Sequence, residues 1–402
     1  MVKNGRLLNH VSKLKQKYVI RLNRLWLTTV EDVAGIIRLY EIDGNISKEM
    51  IVSLFADELE ISFDKADTDI VQIIRDTVPD NEWYAIAGVE EALTYGLLID
   101  EDEQFVMHHH SKISKTKGYE ELPPFVDLLK QYPYRFRGIS NQASRGTCVA
   151  FSVTALHEYI WSGILQKTCP KFSEEFLYWA ARKKQYESKP ATCHQCGTYI
   201  ENALQAILDF GQCLSKTKPY QSNLPCNLQF TETDCIDNNF VCQTCEYGKN
   251  DAFLATGSLS SDCFNEADSF RLSGWKIVKL STIEQIKMTL HKGSPVVIGV
   301  KVYLTWMSPT CRHSGCITLP FQREVDYSLY NLGAHAMLIR GYKNENAIPG
   351  GGYFIIRNSW GETWGDISPE DYSAGYGIIP YAYLARQPFQ AYVIEQSKSK
   401  IL

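Results

Sequence analysis

The sequence predicts an α+β protein, a two-lobed body preceded by a small winged-helix-like domain. Three observations carry this prediction. Between residues 146 and 211, apolar side chains recur at intervals of three and four, the period of buried helices. After residue 275 the apolar runs become short and rich in β-branched and aromatic residues, as strands require. Ahead of both, residues 17–80 join one strand-like run to three short helical patterns. Helices first and strands later, within one body, describe an α+β domain of two lobes.

The chain has 402 residues, enough for two or three domains at roughly 100–200 residues each. Hydrophobic residues make up 45% and charged residues 22%, which supports a packed core rather than a disordered chain. The net charge of −5 excludes a binder of nucleic acid that works through a basic surface. No apolar run approaches the roughly 20 residues of a membrane span. The basic N-terminus lacks the apolar core and small-residue cleavage site of a secretory signal, so a cytoplasmic location is expected.

The elements follow in order. Residues 17–29, KYVIRLNRLWLTT, mix β-branched, aromatic and basic residues and predict a strand or hairpin. A helix over 33–40 ends at Asp43-Gly44. Ser47 caps a second, with Met50, Ile51, Leu54 and Phe55 at helical spacing. The third carries Ile70, Ile73 and Ile74. These elements delimit a domain over 1–80. Residues 81–120 are acidic and mixed and read as a linker or pro-segment, with the histidine triplet 108–110 as a solvated loop. ELPPFVDLL at 121–129 opens the body, which extends from 121 to 402. Helices are predicted over 146–164, over 172–184 with Ser173 as N-cap, and over 197–211 up to Gly211. Residues 212–270, rich in Cys, Asn and Asp, read as an insertion held by something other than a core. GWKIVKL, SPVVIGVKVY, GAHAMLIRGY, GGYFIIRNSW and YGIIPYAYL are the expected strands.

Chemistry concentrates around SNQASRGTCVAFS at 140–152. A cysteine that begins a helix sits at the positive end of the helix dipole, which favours the thiolate. A nucleophilic thiolate needs a base, usually histidine, and a group that orients the base. It also needs donors aimed at the developing oxyanion. Cys148, His335, Asn358 and Gln142 supply these four roles from four separate stretches.

NQASRGTCVAFS, GAHAMLIRGY and NSWGETWGD together resemble the cysteine, histidine and asparagine blocks of the papain family of cysteine proteases, in the family's order. The resemblance covers about residues 120–390. It implies a papain-like two-lobed fold and hydrolysis of peptide or protein substrates without a catalytic cofactor. By the same resemblance Cys148 is the nucleophile, His335 the general acid/base, Asn358 its orienting partner and Gln142 an oxyanion donor. Trp360 shields the Asn–His bond. Two departures stand out. Val149 replaces the usual tryptophan after the nucleophile, and Arg145 stands where the family often has a disulfide-forming cysteine.

Two further features are open. The pair Cys193 and Cys196 and the pair Cys242 and Cys245 have the spacing of a four-thiolate structural zinc site, and disulfides or free thiols are the alternatives. Residues 17–80 resemble the small peptide-recognition domains that deliver ribosomally made precursors in pyrroloquinoline quinone synthesis. That resemblance implies a leader-bearing precursor peptide added as a strand near Arg24, Trp26 and Thr28, against a helix bearing Asp69 and Ile73. The alternatives are an inhibitory pro-segment, or a non-catalytic peptide-binding protein on a protease fold.

Overall fold

The computed structural model describes residues 5–42, 46–86, 97–99, 122–188, 197–222, 259–307, 309–326, 333–366 and 372–397. The histidine triplet lies outside the described residues, as do Cys193, Cys196, Cys242 and Cys245 of the two CxxC pairs.

The N-terminal stretch read as a strand is a helix, Gln16–Arg24. Tyr18, Val19, Leu22 and Leu25 are buried, and their spacing of one, three and three places them on one helical face. β-Branched and aromatic composition lost to that stripe. Helices Val30–Ile42 and Lys48–Leu59 follow, and the Ser47 hydroxyl accepts the Met50 N–H at 3.2 Å as an N-cap. The third predicted helix runs through Phe63–Ala66, a π-helical Asp67–Gln72 and Ile73–Thr77. The three helices are therefore present, and the hairpin is not found among the described residues.

The body is built on one antiparallel sheet. Strands β1 (Phe125–Asp127), β2 (Trp275–Leu280), β3 (Val296–Val302), β4 (Gly333–Asn344), β5 (Gly352–Arg357), β6 (Tyr376–Pro380) and β7 (Phe389–Gln396) are ordered β2-β7-β3-β4-β5-β6, with β1 paired to β4. Alternation along β3 and β4 sends side chains to two different cores. Val297, Ala336 and Leu338 meet the helical lobe, whereas Val296, Ile298, Met337 and Ile339 face the other way. Both faces are apolar because both are covered.

The helical lobe contains Cys148–Leu165, Glu174–Ser188 and Ile200–Asp209. Ser173 Oγ accepts the Phe176 N–H at 3.0 Å, as its capping role predicts. Cys148–Leu165 is long and apolar enough to cross a membrane by length and composition, but most of it is buried inside the protein. Two expectations are corrected. YAYLAR is a helix, Tyr381–Arg386, rather than strand, and the strand after it, β7, went unread. The ends of the 212–270 stretch also belong to the core: Cys213 and Cys263 are buried, and Ser261–Asp268 is a helix. Gly211 (φ +73°) turns the chain out of the helix Ile200–Asp209 toward Cys213, where a Cβ would collide with the Ala267 carbonyl.

The opposite face of the sheet is covered through residues 304–326. Against that segment pack the helices Val30–Ile42 and Lys48–Leu59, so residues 8–86 share one apolar cluster with the sheet lobe. Phe55 meets Phe321 edge-on at 5.2 Å, and the Leu319 N–H donates to the Leu25 carbonyl at 2.9 Å.

Candidate active site

Cys148 is the first residue of its helix. Thr147 occupies the N-cap without a side-chain capping bond, because its hydroxyl pairs instead with Tyr220 OH at 2.8 Å. The first-turn N–H groups and the positive end of the dipole thus point at the cysteine. The Ala336 N–H donates to Cys148 Sγ at 3.4 Å, which places the sulfur beside β4 one residue from His335.

His335 lies near the start of β4, and Asn358 follows the last residue of the adjacent β5. Antiparallel pairing brings the two together, and His335 Nε2 meets Asn358 Oδ1 at 2.8 Å. Trp360 stacks on the imidazole with centroids 4.6 Å apart, and Trp306 meets it edge-on at 6.2 Å. Burial pulls the His335 imidazole down to about 4, against the raising effect of the Asn358 bond.

Gln142 is fully buried at the turn before the helix. Its Nε2 donates to the Arg145 carbonyl at 2.8 Å, and its Oε1 accepts from Ser359 Oγ at 2.6 Å. Ser359 also donates its N–H to Asn358 Oδ1 at 2.8 Å, so one residue ties the Gln142 loop to the histidine's partner. The structure therefore brings Cys148, His335, Asn358, Gln142 and Trp360 to the seam between the lobes.

Sequence reasoning missed Trp306, Ser359, Glu175 and Leu97. Ser359 sits inside the NSWG block, a signal present in the sequence. Trp306 lies in no motif, and the other two owe their role to tertiary placement. Leu97 is the most consequential. Its N–H donates to the Ala334 carbonyl at 3.2 Å, and the Leu98 N–H donates to the Thr198 carbonyl at 3.0 Å. Residues 97–98 thus bridge the two lobes, next to His335 on one side. The Leu97 side chain is 5% exposed and fills the space above Gly299, where it meets Ile200. Cys148, in the same apolar cluster as Leu97, and His335, the residue after Ala334, are fully buried.

The expected peptide groove is not formed. Arg24–Thr28 is no free strand edge: Thr28 and Val30 already bond to the chain's own residues Leu8 and Arg6. Trp26 is buried against Cys316, Tyr376 and Ile378. Asp69 accepts from Lys15 and Tyr18, so the chain's own first helix lies where a leader strand was expected. Arg24 is exposed and Ile73 half-buried. Among the described residues no cluster of metal-ligating side chains is present. The expected zinc ligands Cys193, Cys196, Cys242 and Cys245 lie outside the described residues.

The sequence profile of the papain family cysteine proteases matches residues 122–368, more than half of the chain. The chain belongs to the papain family. It is 35% identical over 103 residues to a peptidase C1-like protein of Acanthamoeba polyphaga mimivirus, covering 26% of this chain and 28% of that one. It is 24% identical over 199 residues to cathepsin K of Mus musculus, covering 46% and 56%. The chain thus spans from about a quarter to just over half the length of these curated relatives. Among solved structures, xylellain, a cysteine protease from Xylella fastidiosa, superposes with a TM-score of 0.50 at 24% identity, over 75% of this chain and 96% of that one. This likeness shows the two-lobed fold.

Proposed function

We propose that this papain-family chain is a cysteine peptidase held in a self-inhibited form by residues 97–99. The observation that carries the reading is the pair of backbone bonds from Leu97 and Leu98 to the two lobes, one of them to the residue before His335, with Leu97 in the same apolar cluster as Cys148. An extended segment bonded by its backbone across a cleft, with a side chain in a pocket, occupies the space in which a peptide substrate would bind.

In the open enzyme, Cys148 Sγ attacks the scissile carbonyl carbon. His335 holds the thiol proton on Nδ1, since Nε2 is directed at Asn358 Oδ1, and returns it to the leaving amine. The oxyanion forms against the second N–H of the Gln142 amide and the Cys148 backbone N–H. Water then attacks the thioester carbon. Its proton passes to His335, the acid leaves, and the thiolate is restored. Burial holds the His335 imidazole neutral in the covered state. Removal of the cover lets water reach the imidazolium, which helps the ion pair form. The substrates are peptides or proteins. Delivery of a leader peptide by strand addition finds no free strand edge at Arg24–Thr28, whose neighbours already bond within the chain.

The test is alkylation of Cys148 in the full-length protein, with mass mapping. Residues 87–121 are then excised through engineered cleavage sites placed in 87–96 and 100–121. The intact chain is expected to label slowly and hydrolyse no peptide. Excision is expected to speed labelling at least tenfold and start hydrolysis. Full-rate labelling of the intact chain, or no gain on excision, refutes the self-inhibited form.

A further inference from the structure

The loop that carries Gln142 is fastened from outside by a buried ion pair. Arg145 and Glu175 are 4% and 0% exposed at the side chain, and they meet through two bonds, Nη1 to Oε2 at 2.6 Å and Nη2 to Oε1 at 3.1 Å. Such a fork fixes direction as well as distance. Arg145 Nη1 also donates to the Gln221 carbonyl at 2.8 Å, and the Gln221 N–H returns to Glu175 Oε2 at 3.1 Å. The guanidinium lies over the rings of Tyr220 and Tyr178, at 5.0 and 5.5 Å. Tyr220 OH donates to the Gln142 carbonyl at 2.7 Å.

The consequence reaches the reacting atoms through one carbonyl. Arg145 C=O accepts from both Gln142 Nε2 and Thr147 N–H, each at 2.8 Å. One amide hydrogen of Gln142 is thereby spent on a fixed acceptor, and the direction of the other is set by it. The same carbonyl holds Thr147, the residue before Cys148. A guanidinium that cannot rotate out of its carboxylate fork holds that carbonyl still.

We propose that Arg145 and Glu175, with Tyr220, form a positioning clamp for the oxyanion donors. It stands where many relatives place a disulfide, and unlike a disulfide it is indifferent to thiol reductants. The clamp rests on the reading of Gln142 as an oxyanion donor, so the experiment separates the two.

The protein used is the full chain after excision of residues 87–121. Three variants are compared with the parent: Gln142→Ala, Tyr220→Phe, and the double replacement Arg145→Met with Glu175→Leu. Replacing both partners of a buried pair by apolar groups of similar size is the change a core tolerates, whereas a single replacement strands a charge. For each, kcat and KM are measured on a peptide substrate, with affinity for a peptide aldehyde, whose adduct carries an oxyanion-like oxygen. The rate of Cys148 alkylation by iodoacetamide, which forms no oxyanion, is the control.

The double variant is expected to lose about 10- to 100-fold in kcat, with KM within threefold. Its aldehyde affinity is expected to fall in parallel while alkylation stays within twofold of the parent. Tyr220→Phe, which keeps the ring and removes one hydroxyl, is expected to lose three- to tenfold in the same pattern, and it decides the matter if the double variant fails to fold. Gln142→Ala with unchanged aldehyde affinity sinks the oxyanion reading itself. Loss in Gln142→Ala, with parental kcat and aldehyde affinity in the clamp variants, leaves that reading standing and overturns the clamp. Equal losses in alkylation and aldehyde binding also overturn it, because they mark general damage to the site.

Discussion

Two parts of the N-terminal region touch the protease body, and they do so by different physics. Residues 8–86 dock through an apolar cluster continuous with the sheet lobe, with Phe55 on Phe321 and Leu319 bonded to Leu25. Residues 97–99 hold the cleft by two backbone bonds and one leucine. The first contact is an anchor and the second a plug. The anchor keeps the plug at high local concentration, so a weak local contact is enough to cover the site. It also means the plug can open while the anchor stays closed.

The largest effect is expected at the anchor. Phe55 is fully buried, and its truncation to alanine leaves a cavity beside Phe321. Phe55→Ala is expected to cost about 3–5 kcal/mol of stability. Thermal or urea unfolding of the full chain measures it. A loss below about 1 kcal/mol would mean that the helices contribute no core to the protease body, and the contrast with the plug would collapse.

The next effect is at the plug and appears in activity rather than in stability. Leu97→Ala is expected to remove about 2–3 kcal/mol from the covered state, within the range for buried leucines. Each 1.4 kcal/mol is about tenfold in the open fraction, so Cys148 should be alkylated roughly 30- to 150-fold faster in the full-length protein. The unfolding midpoint should barely move, since the plug opens locally. An unchanged alkylation rate would show that something other than Leu97 covers the nucleophile.

The contrast between anchor and plug was only partly legible in the sequence. The nucleophile's helix could be read because its apolar period is local, and the order of Cys148, His335 and Asn358 is a linear pattern. The first helix was misread although Tyr18, Val19, Leu22 and Leu25 carry a helical spacing, because its β-branched and aromatic composition masked the period. β7 pairs with β2 and β3 across 89 residues of chain or more, and no local signal announces such a partnership. Leu97 sits in an acidic stretch without period, and its role arises only when the lobes come together. Arg145 was visible as a departure from the family pattern. Glu175 was not, since an acidic residue in the first turn of a helix already has a reason to be there.

The smallest effect is expected at the rim of the anchor. Arg323 pairs with Asp57 across the junction between the N-terminal helices and the body, and both side chains are well exposed at 39% and 48%. Water and salt screen such a pair, and holding two long side chains in one geometry costs entropy. Arg323→Ala is therefore expected to change stability by less than about 1 kcal/mol, with no change in the alkylation rate of Cys148. Repeating the unfolding at high salt should erase even that difference. A loss comparable to Phe55→Ala would make charge rather than apolar packing the hold between the two parts. The anchor would then loosen with ionic strength, and covering of the active site would become salt-dependent along with it.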